Sequence, residues 1–360
     1  LARICYSGWV MRRRSFLLAL PLMPAVLNGC GGSASAMPET LDIPEAEPII
    51  GSAEASMLQQ LIDAAAASGV GVVNVPPSTV VSSTIHVRAG VSLVGAGTGR
   101  TDSANGKLIV SRDLDTAFVL YQGSSIKSLG IHRDGVVFGQ ADTSGFGGNA
   151  IVANGDDVEV SGCMITGFAH ACRSVQFGRA IIHNNKIDCL NGIWLHNVYD
   201  ISRITDNHCW PFVTVGWANA NERGVSPASA NREGVAYRLT GVNDWTQLRG
   251  NFSYAYRIGY EVADGSDVTL VQCGADGAPG TADNTGFYIH GRSTLATLQS
   301  CQCAGNRTAF HFDLDGAVVG SGNTVWGIHG SPLRIDRGDA SRFQFIEKGA
   351  SGHDVPGWGW

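Results

Sequence analysis

Charge is scarce in this sequence: only 16 % of its 360 residues are Asp, Glu, Lys or Arg. With 44 % apolar residues the chain has enough to bury, so disorder is excluded. Long apolar runs are scarce as well. None outside the N-terminus approaches the roughly 18 residues that a membrane-spanning helix needs. The nine cysteines include no C-x-x-C pair, which removes the usual zinc framework, and no metal site is expected. A basic excess is also missing. The formal net charge is -6, so nucleic acid would gain nothing from the global field and is not expected as a partner. What abounds is glycine, with 47 residues. An apolar, turn-rich chain of this kind reads as all-β, and solenoids grow by repetition, so this length does not force a second domain.

The first thirty residues carry an address. Arg12, Arg13 and Arg14 precede a short apolar stretch that runs to Val26, the basic and apolar regions of a signal peptide. The run from Arg13 to Leu17 resembles the twin-arginine export motif. Leu27, Asn28, Gly29 and Cys30 then resemble a lipobox, whose cysteine is diacylated and becomes the new N-terminus. An ordinary secretory signal with an incidental cysteine is the alternative. Residues 1 to 10 precede Met11 and have no part in either signal. The expectation is an exported periplasmic or outer-membrane lipoprotein, anchored to the membrane at Cys30. Cleavage before Cys30 removes four arginines and no acid, taking the formal charge from -6 to -10. Residues 31–50 read as a linker.

Internal repetition decides the fold. Segments ending at Cys163, Asn185, Asn207, Asn251, Cys273, Cys301 and Asn323 align without gaps, with anchors 22, 22, 44, 22, 28 and 22 residues apart. The residue three before each anchor is Val160, Ile182, Ile204, Leu248, Leu270, Leu298 or Gly320. A period near 22 with short β-branched runs suits one coil of a parallel β-helix, each coil lying about 4.8 Å from the next. Asparagine at a fixed turn can stack as a ladder of amides, and cysteine can share that position as a small apolar residue. Cys163, Cys273 and Cys301 are thus expected as buried thiols rather than disulfides.

Upstream, the runs from Gly71 to Thr79 and from Ser83 to Gly97 resemble the opening coils of the pectate-lyase superfamily. The resemblance covers roughly residues 50 to 330. It implies a single-stranded right-handed parallel β-helix over residues 51–335, begun by a helix over the open end and followed by a tail at 336–360. The helix would span residues 53–68, with Met57, Leu58, Leu61, Ile62 and Ala65 on one face. Glycines at 95, 97 and 99 read as turn residues, since no βαβ unit follows them.

In this superfamily one strand of each coil faces the substrate. Those strands are expected at 151–154, 175–178, 193–196, 235–238, 258–261, 287–290 and 310–313, with first and third residues inward. The outward fourth column then reads Asn154, Gly178, His196, Arg238, Glu261, His290 and Asp313, and the second reads Val152, Gln176, Trp194, Ala236, Gly259, Tyr288 and His311. The catalytic candidates are His196, Arg238, Glu261, His290 and Asp313. Trp194, Tyr288, Gln176 and His311 are candidates for substrate binding. The long interval leaves residues 213 to 233, with Trp217, Glu222, Arg223, Arg232 and Glu233, beside Arg238, and a long insertion at a regular face is more often functional than accidental.

These residues fit a polysaccharide as partner. A lyase or epimerase would use Arg238 against a uronate carboxylate, His196 or His290 as base and Tyr288 as proton donor. A hydrolase would use Glu261 and Asp313, about 9.6 Å apart by the coil spacing. A non-catalytic carbohydrate-binding protein and a purely structural solenoid, with the stripe as a solvated ladder, stay open beside them. No cofactor is implied. Calcium would suit a lyase, but its aspartate set is not matched, and Asp156 with Asp157 reads as a turn.

Overall fold

The computed structural model describes residues 52–98, 107–136, 142–211, 231–264, 267–277, 283–292 and 295–348. The leader, Cys30, the linker and residues 212–230 lie outside them. So do Trp217, Glu222 and Arg223.

The described chain winds as a right-handed parallel β-helix. Each coil contributes one strand to each of three sheets, and every pairing between coils is parallel. The anchors expected from the sequence all turn inward: Cys163, Asn185, Asn207, Asn251, Cys273, Cys301 and Asn323 are at most 1 % exposed. The first sheet pairs Val160 with Ile182, Ile182 with Ile204, Ile204 with Leu248, and onward through Leu270 and Leu298 to Gly320. The repeat read from the sequence is therefore the structural coil.

Hydrogen bonds explain why the anchor is so often asparagine. Asn185 Nδ2 donates to Asn207 Oδ1 at 2.9 Å, and Asn207 Nδ2 to Asn251 Oδ1 at 3.0 Å. The same Nδ2 groups also donate to Val160 O and Ile182 O on the preceding coil, while each Oδ1 accepts the preceding anchor's N–H. One amide thus pairs backbone groups that the turn leaves without strand partners. The residue before each anchor has a left-handed backbone, from Asn184 (φ 55°) and Asp206 (57°) to Gly250 (64°). Where the anchor is cysteine, its thiol is buried, and burial pushes the Cys163 thiol up to about 12. All seven described cysteines are buried and free.

The first coil is closed by the helix Ser52–Ser68. Its buried face is Ala55, Leu58, Ile62 and Ala65. Met57, expected inward, is 37 % exposed because the face rotates towards Ala55. The Gln59 amide accepts the His86 N–H at 2.8 Å and donates to His86 O at 3.1 Å, pairing an edge strand as a further coil would. At the far end the strand Ser331–Glu347 carries the pairing past residue 335, the boundary expected from the sequence.

The third sheet positions the site. It runs through Asn149–Ala153, His170–Val175, Asn191–His196, Arg232–Thr240, Tyr256–Ala263, Thr285–Gly291 and the start of Thr308–Trp326. Inside it, Tyr237, Tyr260, Phe287 and Phe310 stack ring on ring at 4.8, 4.7 and 5.2 Å. The Tyr237 and Tyr260 hydroxyls donate to Asn207 O and Asn251 O, at 2.8 and 2.7 Å. The stack therefore ties the third sheet to the ladder turn.

Candidate functional site

Expected and observed registers differ on the outer face of this sheet. Ile193 pairs with Tyr237, and Tyr237 with Tyr260 and then Phe287. The strands placed at 235–238 and 258–261 are therefore two residues out. A slip of two keeps every side chain on its face, because strand side chains alternate with period two. Arg238 and Glu261 do face outward, but beside different neighbours. The strand placed at 175–178 is three residues out, since Cys172 is the residue that pairs with Ile151 and Ile193. An odd slip flips the face. Gln176 lies in an exposed turn at φ 67° and is no part of the stripe. Arg173 takes its place.

The corrected column reads Val152, Arg173, Trp194, Arg238, Glu261, Tyr288, His311 and Arg334 on successive coils. Beside it run Val175, His196, Thr240, Ala263, His290 and Asp313. All the expected catalytic candidates share one sheet face, divided between two columns.

At the N-terminal end Trp194 and His196 are engaged by their neighbours. The Arg173 guanidinium lies 4.5 Å from the Trp194 ring centroid and that of Arg238 lies 5.6 Å from it. These arginines come from the coils on either side, so both faces of the indole are covered. Trp194 Nε1 donates to Thr240 Oγ1 at 2.9 Å. Asn197 Oδ1 accepts the Val242 N–H, which turns its Nδ2 towards His196 Nε2 at 2.9 Å. Nε2 must then be the acceptor, and Nδ1 carries the proton to Thr240 Oγ1 at 2.8 Å. His196 has both nitrogens committed, an arrangement unsuited to a base. Burial, then Arg173 and Arg238, hold the nearby His170 below its ordinary pKa.

The next coils differ. Glu261 is 6 % exposed although it sits on an outward position. Its Oε2 lies 2.7 Å from Arg238 Nε, close enough for an ion pair but off the line of a hydrogen bond, and its Oε1 accepts from His290 Nε2 at 3.0 Å. Tyr288 stacks against His290 at 4.2 Å and His311 at 4.6 Å. Burial, reinforced by Asp313 and Glu261, raises its hydroxyl pKa and keeps it a donor. His311 Nε2 donates to Asp336 Oδ2 at 2.9 Å. Asp313 is two coils from Glu261 and two residues further along the strand, paired with Arg337 at 2.5 Å.

A cleft of about 320 Å³ opens beside Glu261, lined by Glu233, Arg238, Arg257 and Glu261 with Asn191 and Ile258 among the rest. Arg257 is held by its Nε bond to Glu233 O at 2.8 Å. Of the segment expected over the stripe, Glu233 thus reaches the cleft. Arg232 does not. It is buried against Asp188 at 2.7 Å, as a structural ion pair. Among the described residues no group of three or more His, Cys, Asp or Glu side chains could hold a metal ion.

Arg173, Thr240 and Arg257 were not legible in the sequence. A signal for Arg173 exists in the apolar Cys172 beside it, which a pattern of larger residues passes over.

No protein-family model matches the sequence, and no curated protein does. Among solved structures, the chain is similar to the catalytic domain of a GH87 alpha-1,3-glucanase in complex with nigerose, at 11 % identity over 86 % of this chain and 70 % of that one, with a TM-score of 0.41. It is also similar to a DFA-IIIase from Arthrobacter chlorophenolicus A6 in complex with DFA-III, at 13 % identity over 81 % and 82 %, with a TM-score of 0.45. An alginate lyase from Paenibacillus sp. str. FPU-7 shares 13 % over 72 % and 99 %, at 0.37. Likeness this distant says nothing of the reaction.

Proposed function

We propose that the protein binds a polysaccharide across the outer face of the third sheet and hydrolyses it in the cleft at Glu261. One observation carries this reading. A carboxylate on the outer face of a solvated sheet has no structural need to be buried. Glu261 is nonetheless 6 % exposed, held by Arg238 and His290, with a cleft of about 320 Å³ beside it. A titratable group fixed by charged partners at a concave site is the usual form of a functional side chain.

Hydrolysis fits better than elimination. Elimination needs a cation to neutralise a uronate carboxylate; Arg238 already faces Glu261, and Arg257, the cleft's other cation, is tied through its Nε to Glu233 O. Glycosidic hydrolysis needs two carboxyl groups. Glu233 lines the same cleft and is a better partner for Glu261 than Asp313, which is paired with Arg337. His290 orients Glu261, and Tyr288 supplies a hydroxyl donor beside it. Incubation of the protein with neutral and acidic polysaccharides tests this. New reducing ends without unsaturated-uronate absorbance are expected. Rising absorbance selects a lyase, and binding with neither signal selects a binding module.

We further infer export and anchoring at Cys30 from the leader motifs. Replacement Cys30→Ser is expected to abolish labelling by radiolabelled lipid, and normal labelling would refute the anchor.

A further inference from the structure

The turns that follow the third-sheet strands carry apolar side chains that the cleft does not use. Tyr199 is 52 % exposed, Val242 48 % and Trp245 64 %. The Asp244 N–H donates to Val198 O at 3.0 Å, and this bond sets Trp245 on the coil next to Tyr199. Gly178 lets the Tyr199 turn pack down, since a Cβ there would lie 1.8 Å from Tyr199 O.

Trp245 stands in an unusual backbone position. Its φ is 53°, in the left-handed region that a bulky side chain rarely adopts. Six residues before the ladder anchor, the corresponding turn residues of two earlier coils are Asp157 (φ 61°) and Arg179 (φ 55°). They put the strain to use, because Arg179 pairs with Asp157 at 2.6 Å and with Asp200 at 2.8 Å. Trp245 makes no ring contact among the described residues and gains little burial. Backbone strain that packing does not offset points to function.

We propose that Tyr199 and Trp245 form a stacking platform for neutral pyranose units, beside the stripe where the strands that carry Trp194 and Arg238 end. An aromatic face that is open to water fits the apolar face of a sugar ring. Asp200 and Asp244 stand beside the rings and are exposed, ready to accept hydrogen bonds from sugar hydroxyls. Their charge disfavours an acidic sugar, and the nearby cation, Arg179, is already paired with three aspartates. The choice of a glycan as occupant rests on the proposed function, but the platform shares no side chain with the cleft.

The test uses the full chain carrying Glu261→Gln, so that turnover does not interfere. Binding is titrated by calorimetry, whose signal does not depend on Trp245, with cellohexaose, laminarihexaose, maltohexaose and trigalacturonate. At least one neutral oligomer is expected to bind more tightly than trigalacturonate. Adding Trp245→Ala is expected to weaken that binding roughly tenfold, and Tyr199→Ala to weaken it as well. Trp245→Asn, which tolerates the left-handed backbone, should lose binding while its Tm holds or rises. Absence of neutral-sugar binding, tighter binding of trigalacturonate, or affinity unchanged by Trp245→Ala would each overturn the platform. So would a monomer–dimer equilibrium, seen by sedimentation, that Trp245→Ala abolishes. Should Glu261→Gln leave glycan turnover intact while Trp245→Ala still weakens binding, the cleft reading falls and the platform stands.

Discussion

Trp194 and Trp245 lie on adjacent coils near the same end of the third sheet, and their surroundings are opposite. Trp194 has a guanidinium over each face and its N–H bonded to Thr240. Trp245 is 64 % exposed on a left-handed turn. Of these two tryptophans, only Trp245 is left able to meet a ligand face to face. Being outward is thus no measure of availability. What counts is whether a side chain's faces and hydrogen-bonding atoms are already engaged by neighbouring coils.

The comparison can be broken by experiment, beginning where engagement is greatest. Asn207 bonds to the coils on both sides of its own, so Asn207→Leu should strand the Asn185 amide and Ile182 O and cost about 3 kcal/mol. Urea unfolding measures this, and a cost near zero would undo the ladder account. Trp194→Ala removes two cation–π contacts and a hydrogen bond, with an expected loss of about 2 kcal/mol. Trp245→Ala should change stability by no more than about 0.5 kcal/mol, the level of an ordinary surface substitution. Equal losses from the two would erase the distinction between them.

A separate, pH-dependent effect comes from a ring engaged in the same way on the second sheet. His208 packs edge-on against Trp210 and Phe252, at 5.1 and 4.7 Å. Burial, helped by Lys186, lowers its pKa from 6.5 to about 4. The unfolded chain then binds the proton more readily than the folded one. Stability should be level above pH 6.5, fall by up to about 3 kcal/mol on acidification and level off near pH 4. Thermal melts of wild type and His208→Gln check this, and the variant should show a shallower decline. Parallel curves would remove His208 from the account.

How much could be read in advance follows the same physics. The ladder was legible because every anchor is buried and the asparagines pair with the coils on both sides, so Asn or a small thiol recurs there and the 22-residue spacing shows through. The sheet face at Arg238, Glu261 and His290 was legible too, because alternation fixes which side a residue faces. Register along that face was not. Val235, Tyr237, Ile258 and Tyr260 all read as inward apolar residues, so a slip of two leaves the pattern unchanged. The error mattered at Gln176, where Cys172 begins the true strand segment, and it hid the arginine that covers Trp194. Met57 was misplaced on the capping helix for a similar reason, since Ala55 shares its buried face and carries little apolar signal.

The central claim is that Glu261, the buried carboxylate on an outer face, works on a glycan. Reducing-end release by wild type and Glu261→Gln, across a panel of neutral and acidic polysaccharides, tests it most directly, with Tm recorded for both proteins. The account predicts release from at least one polymer by wild type and a fall of about a hundredfold or more in the variant, at a nearly unchanged Tm. Equal release by the two proteins would contradict it.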